Sequence, residues 1–146
     1  MYKYNLSNLK KFWILTVLLL IFIRCDDNLP PFPYVRIDVT FNIATQLDNL
    51  QPDEYIKIDE HGVGGLIIYR KNNSTFEVYD AACTHEANSE CVLEIDEDFQ
   101  HFFTCPCCGS SFFIDQEGNV FNGPARRPLK QYRATYSPPN QLHVNN

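Results

Sequence analysis

The sequence predicts an all-β domain, and three observations carry that expectation. Val35, Ile37, Val39, Phe41 and Ile43 alternate with polar neighbours, the period of two that a half-buried strand requires. Beyond them, short apolar runs recur with Gly, Pro and Asn clusters in between, the punctuation of many short strands. After residue 27 no stretch carries the three- and four-residue spacing of an amphipathic helix. Hydrophobic residues make up 45% and aromatics 14% of the 146 residues, enough for one core and too much for wholesale disorder.

Taken in order, residues 46–53 are turn-like and residues 55–58 form a short strand. Gly62, Gly64 and Gly65 mark a bend before residues 66–70, an apolar run with two β-branched isoleucines. Lys71-Asn72-Asn73-Ser74 has the composition of a hairpin turn. Residues 75–80 return as the partner strand and deliver the chain directly into Cys83. Residues 92–95, 101–104 and 111–114 read as further strands, and residues 116–119 as a tight turn before Val120 and Phe121. Gly123-Pro124-Ala125 breaks the chain, residues 129–136 form a late strand, and Pro138-Pro139 ends it. Leu142 and Val144 are expected in a short last strand.

The start of the chain has a different character. Lys3, Lys10 and Lys11 precede an apolar stretch at residues 12–23, shorter than the roughly 20 residues of a membrane span and suited to a signal-peptide core. Cys25 follows, then Asp26 and Asp27. An apolar run ending at a cysteine resembles a bacterial lipoprotein signal, which implies Cys25 as the lipid-modified first residue of the mature chain. Arg24 stands where such signals carry a small residue; without cleavage, the same segment serves as an N-terminal membrane helix. Both readings put the domain in the bacterial cell envelope, outside the cytoplasm, where disulfides persist. Three prolines within residues 28–33 make a stiff tether. The expected organisation is an anchor at 1–25, a tether at 26–34 and a domain at 35–146. The net charge of −6 excludes a nucleic-acid binder, which needs a basic face to displace counterions.

The chemistry concentrates in two motifs, Cys83-Thr84-His85 and Cys105-Pro106-Cys107-Cys108-Gly109-Ser110. Thiolates beside an imidazole are the donors of soft metals and iron–sulfur clusters. Cys-x-His followed by Cys-x-x-(ligand)-Gly-Ser resembles the two cluster-binding loops of the Rieske [2Fe–2S] family. Gly118, Gly123-Pro124-Ala125 and Pro128-Leu129 resemble that family's proline loop. The likeness runs over residues 35–136 and is strongest over 83–129. It implies an antiparallel β-sandwich with a small inserted cluster-binding subdomain at about residues 82–125. It implies Cys83 and Cys105 on the inner iron and His85 on the outer one, with Cys108 in the place of the second imidazole.

Two departures from the family pattern bear on the redox potential. A thiolate at Cys108 adds a negative charge beside the cluster, which favours the oxidised state and moves the potential toward about −400 mV. Phe112 stands where high-potential members carry a tyrosine hydroxyl aimed at sulfur, although Ser110 is placed to donate. In members from cytochrome bc complexes a disulfide ties the two loops. Cys107 matches one half of it, and Cys91 is the inferred partner.

The resemblance implies a one-electron carrier or redox subunit, working with a redox partner protein rather than as a self-sufficient enzyme. No catalytic residues stand out: there are no paired catalytic carboxylates, no nucleophile beside a base and no phosphate-cradling glycine loop.

Other uses of the same residues stay open. Disulfides Cys83–Cys105 and Cys91–Cys107 without metal would make a structural or binding lipoprotein, and Cys83, His85, Cys105 and Cys108 are an acceptable Cys₃His zinc set. Cys105-x-x-Cys108 as a redox dithiol lacks the strand-to-helix setting that activates such a pair. His61, His101 and His143 are expected to be solvated or packed, with His101 within reach of Cys105 if the loop bends. The run Glu86, Glu90, Glu94, Asp96, Glu97 and Asp98 reads as a solvated hairpin or a docking face for a basic partner. Arg126, Arg127 and Lys130 read as surface charges.

Overall fold

The computed structural model describes residues 31–96 and 99–146, together with Trp13. The expected signal segment, Cys25 and most of the tether lie outside the described residues. Among the described residues, no helix is long and apolar enough to cross a membrane.

Among the described residues from 31 onward, ten strands and one turn of helix follow one another: β1 (Asp38–Asn42), α1 (Ile43–Gln46), β2 (Glu54–Ile58), β3 (Leu66–Arg70), β4 (Phe76–Asp80), β5 (Glu94–Ile95), β6 (Phe102–Thr104), β7 (Ser111–Phe113), β8 (Asn119–Asn122), β9 (Gln131–Ser137) and β10 (Gln141–Asn145). They form two antiparallel sheets, one ordered β1-β10-β9-β4-β3-β2 and the other β5-β6-β7-β8. The all-β expectation holds. The four-stranded sheet interrupts the larger one between β4 and β9, which pair directly at Val78↔Tyr132 and Tyr79↔Gln131.

Leu66, Ile67, Ile68 and Tyr69 are consecutive and all buried, so β3 has protein on both faces. Leu66 and Ile68 turn into a core shared with Phe41, Val78, Leu142 and Val144, which means that the six-stranded sheet curls until β1 and β10 face β3 and β4. Ile67 and Tyr69 turn the other way and join Tyr79, Phe103, Phe112 and Ile114. This second core glues the small sheet to the large one. Each such side chain contributes about 1.5–3 kcal/mol relative to exposure, and the two-sided burial explains why residues 66–69 show no alternation.

The structure differs from the sequence reading at three places. The strand expected at 35–43 ends at Asn42, because the Asn42 side chain accepts from Ala44 N at 3.0 Å and caps α1, drawing Ile43 into a helical turn. The strand expected at 92–95 shrinks to β5: Leu93 donates its N–H to Ala81 O at 2.7 Å and plugs the core instead. The last segment is a full five-residue strand, zipped between β1 and β9.

One buried carboxylate positions the entry to the first cysteine motif. Asp80, fully buried, accepts from Val63 N at 2.7 Å, Gly64 N at 2.9 Å, Ala82 N at 2.9 Å and Tyr132 Oη at 2.7 Å. It thereby ties the 62–64 bend, β9 and the residue before Cys83 to one point. Gly64 is required there, since a Cβ would come within 2.5 Å of Ala82 N. Burial, with Asp80 as neighbour, raises the Tyr132 phenol and keeps it a donor.

Two predictions follow from these contacts. Asp80→Ala strands several donors at once and is expected to cost at least about 3 kcal/mol in urea unfolding, while Tyr132→Phe costs about 1.5–3 kcal/mol. At the edge of the sheet, the Asp38 carboxylate is held below its ordinary value of 3.8, chiefly by the hydrogen bond with His143 at 2.8 Å. Its folded pKa is depressed, so any stabilisation is present above the unfolded pKa and is lost as pH falls through the folded one. NMR titration should give a midpoint below 3.8 that His143→Ala returns to the ordinary range.

Candidate metal centre

Three loops meet at one end of the small sheet. The first leaves β4 and doubles back on itself: Cys83 N donates to Cys91 O at 3.0 Å, Ala87 N to Cys83 O at 2.7 Å, and Ala82 bridges Val92. The second is the tip of the β6–β7 hairpin, closed by Cys105 N to Ser110 O at 2.8 Å and Gly109 N to Cys105 O at 2.9 Å. Gly109 has φ +72° and open space around it, so backbone conformation rather than crowding calls for glycine.

The third loop, residues 123–128, is held to both of the others. Ala125 N donates to Ser110 Oγ at 3.0 Å, and Thr84 Oγ1 donates to Arg127 O at 2.8 Å. Gly123 presses on Ser110 so closely that a Cβ would lie 2.5 Å from Ser110 Cα. Cys91 and Cys107 are joined by a disulfide, Cα to Cα 5.7 Å, which fastens the first loop to the second.

The three remaining described cysteines, Cys83, Cys105 and Cys108, are free thiols. Cys83 and Cys105 are fully buried and Cys108 is half-buried. Their sulfur atoms lie within 4.8 Å of one another, with Cys83 Sγ and Cys108 Sγ 3.6 Å apart. A Cys83–Cys105 disulfide is therefore absent. His85 lies outside this thiol group, but its Nδ1 is buried with no hydrogen-bond partner. A buried, unpaired imidazole nitrogen costs free energy unless a ligand satisfies it.

The thiols differ electrostatically. Burial pushes Cys83 up to about 12, against the opposing backbone amides of Glu86 and His85. Burial also acts against ionisation of Cys108, but hydrogen bonds from the Ser110 hydroxyl and amide outweigh it and hold that thiol below its ordinary value. The Cys108 thiol donates to Ser110 Oγ at 3.1 Å, and once that thiol ionises the fully buried Ser110 hydroxyl can donate to it instead.

The other histidines sit elsewhere. His101 Nε2 is 3.0 Å from Asp53 O, and its ring packs edge-on to Tyr55 and Tyr69, away from the thiols. His61 lies edge-on to Phe41, and His143 pairs with Asp38. Phe112 is fully buried in the core behind the thiols. Sequence reasoning overlooked Asp80 and Thr84. Nothing local in the sequence marks either of them: β4 carries two acids, Glu77 and Asp80, and only the fold distinguishes their roles.

A family model of the Rieske [2Fe-2S] domain matches residues 40–133. The chain belongs to this family. One relative, the cytochrome b6-f complex iron–sulfur subunit of Chlorobaculum thiosulfatiphilum, is 34% identical over 84 residues, which are 57% of this chain and 42% of that protein. A second, from Bacillus subtilis (strain 168) and named as a Rieske 2Fe-2S iron–sulfur protein, is 33% identical over 88 residues, 59% of this chain and 16% of that one. The chain thus spans less than half the length of either relative. Among solved structures, the complex of reduced oxygenase and oxidized ferredoxin in carbazole 1,9a-dioxygenase aligns with a TM-score of 0.46 at 20% identity, over 77% of this chain and 94% of that one.

The Rieske family implies a [2Fe–2S] cluster, and the donors present fit one. Three clustered thiols and an imidazole nitrogen without a partner give four soft-to-borderline ligands, and the two buried cysteines lie on separate loops, as a clamp requires. Because Ser110 satisfies Ala125 N and supports Cys108, Ser110→Ala is expected to cost about 1–3 kcal/mol, read from the shift in the urea unfolding midpoint.

Proposed function

We propose that this Rieske-family chain is an envelope-anchored one-electron carrier or redox subunit whose [2Fe–2S] cluster is held by Cys83, Cys105, Cys108 and His85. The observation that carries the reading is the convergence of three sulfurs within 4.8 Å, together with a buried Nδ1 without a partner on His85, in the same loop as Cys83. When bound, such a cluster supplies reversible one-electron chemistry.

The residues around it set the terms. Cys108 replaces a neutral imidazole by a thiolate, and this added charge favours the oxidised state, toward about −400 mV. Phe112 offers no hydroxyl to a ligand sulfur, which works in the same direction. Ser110 donates toward Cys108 and opposes it in part. The Cys91–Cys107 disulfide holds the two ligand loops against each other. It also suits an oxidising compartment, in keeping with a domain outside the cytoplasm, tethered through lipid on Cys25 or through an uncleaved N-terminal helix. The partner is a redox protein, and the chain by itself is not a complete enzyme.

The test is metal and acid-labile sulfide analysis of the purified chain, together with its visible spectrum and a redox titration. About two irons and two sulfides, colour, and a midpoint well below 0 mV are expected, and Cys108→His should raise that midpoint by roughly 100 mV or more. Zinc in a colourless protein, a metal-free protein, or a midpoint above about 0 mV would each overturn the reading.

A further inference from the structure

The two faces of the β5–β8 sheet differ sharply in what they meet. Residues paired across strands point to the same side. Phe103 and Phe112 oppose each other and are buried, while Phe102 and Phe113 oppose each other and face outward, half-buried. Phe121 of β8 joins the outer pair, its ring centroid 5.1 Å from Phe102 and 4.9 Å from Phe113, and Phe99 packs 5.7 Å from Phe102. Phe99 and Phe121 are each 61% exposed. Four contiguous phenylalanines on an open face are a patch, and patches of this kind mark interaction sites more often than scattered single residues do.

Charge narrows what the patch accepts. Residues 82–125 hold eight of the chain's 18 Asp and Glu and none of its 12 Lys and Arg, so the remainder of the chain carries more cations than anions. Glu94 lies on the same outer face, in register with Thr104 and Ser111, and Glu117 is exposed in the turn leading into β8. A second copy would bring two anionic subdomains together, and an anionic membrane surface would repel this one. A cationic protein would be drawn to it.

We propose that the face built from Phe99, Phe102, Phe113 and Phe121 is the docking surface for a protein partner that presents an apolar centre ringed by lysines or arginines. Aromatic centre and charged rim divide the work: the rings supply affinity by burial, and the carboxylates supply encounter rate and orientation. β6 and β7, which carry Phe102 and Phe113, run directly into the tip that holds Cys105 and Cys108, so a docked partner lies against the strands that end at the thiols. The inference rests on the electron-carrier reading for the kind of partner. Its readout is a dissociation constant, which stands whether or not a cluster is bound.

The probe is a basic c-type cytochrome, titrated calorimetrically into the full chain, with lysozyme as a basic protein that lacks a lysine-ringed apolar centre. Binding to the cytochrome is expected at low salt and should weaken about tenfold between roughly 20 and 200 mM salt. Phe99→Ser/Phe121→Ser should weaken it at least about tenfold with an unchanged melting curve. Should that variant fail to fold, Glu94→Gln/Glu117→Gln should weaken binding by about threefold or more. The proposal is overturned if the cytochrome does not bind, if the folded variants bind it as tightly as the parent, or if lysozyme binds equally well. It is also overturned if the phenylalanines instead govern dimerisation in sedimentation runs or flotation with phosphatidylglycerol vesicles.

Discussion

Everything near the cysteines depends on where the chain stands when it leaves β4, and Asp80 decides that. A carboxylate taken out of water must be met by donors on nearly all its lone pairs. Here Val63, Gly64, Ala82 and Tyr132 supply them. Those four come from a bend, from the residue before Cys83 and from the strand that follows the third loop. One buried carboxylate thus ties the 62–64 bend and β9 to the end of β4, and it fixes the residue from which the chain enters Cys83. The disulfide between Cys91 and Cys107 adds a covalent tie between the first and second loops.

The centre is asymmetric by construction. Cys83 and Cys105 are sealed in the second core, while Cys108 and His85 are less buried. Ser110 serves two loops through one hydroxyl, receiving Ala125 N and lying next to Cys108 Sγ. The close approach also constrains Gly123, where a Cβ would lie 2.8 Å from that hydroxyl oxygen. The packing that closes the third loop over the thiols therefore also places the Ser110 hydroxyl against Cys108 Sγ.

Much of this was legible beforehand. Strands at 66–70 and 129–136 stood out through apolar content and flanking breaks, the latter observed at Gln131–Ser137, and the two cysteine motifs announced thiolate and imidazole donors at a loop. What stayed hidden was relational. Nothing in Phe76–Asp80 read as a strand reveals that its last residue will accept four hydrogen bonds from elements up to 52 residues away. Asn42 looked like a strand residue because its alternation fitted, and its capping of α1 became visible only with the backbone in place. The outward rings of β6 and β7 were equally opaque: Phe102-Phe103 and Phe112-Phe113 are adjacent pairs, and register alone determines which member goes inside.

The two-sided burial of β3 has a consequence for how the molecule loses its structure. Domains with separate cores can open one at a time, each with its own free energy. Here Leu66 and Ile68 belong to one core while Ile67 and Tyr69, their immediate neighbours, belong to the other, so no opening of either core leaves the strand intact for its counterpart. Amide protons along β3 and β4 are therefore expected to exchange through global unfolding, and those of exposed Glu86, Asn88, Ser89 and Glu90 through local fluctuation. The scaffold and the thiol site behave as a single cooperative unit with a soft rim.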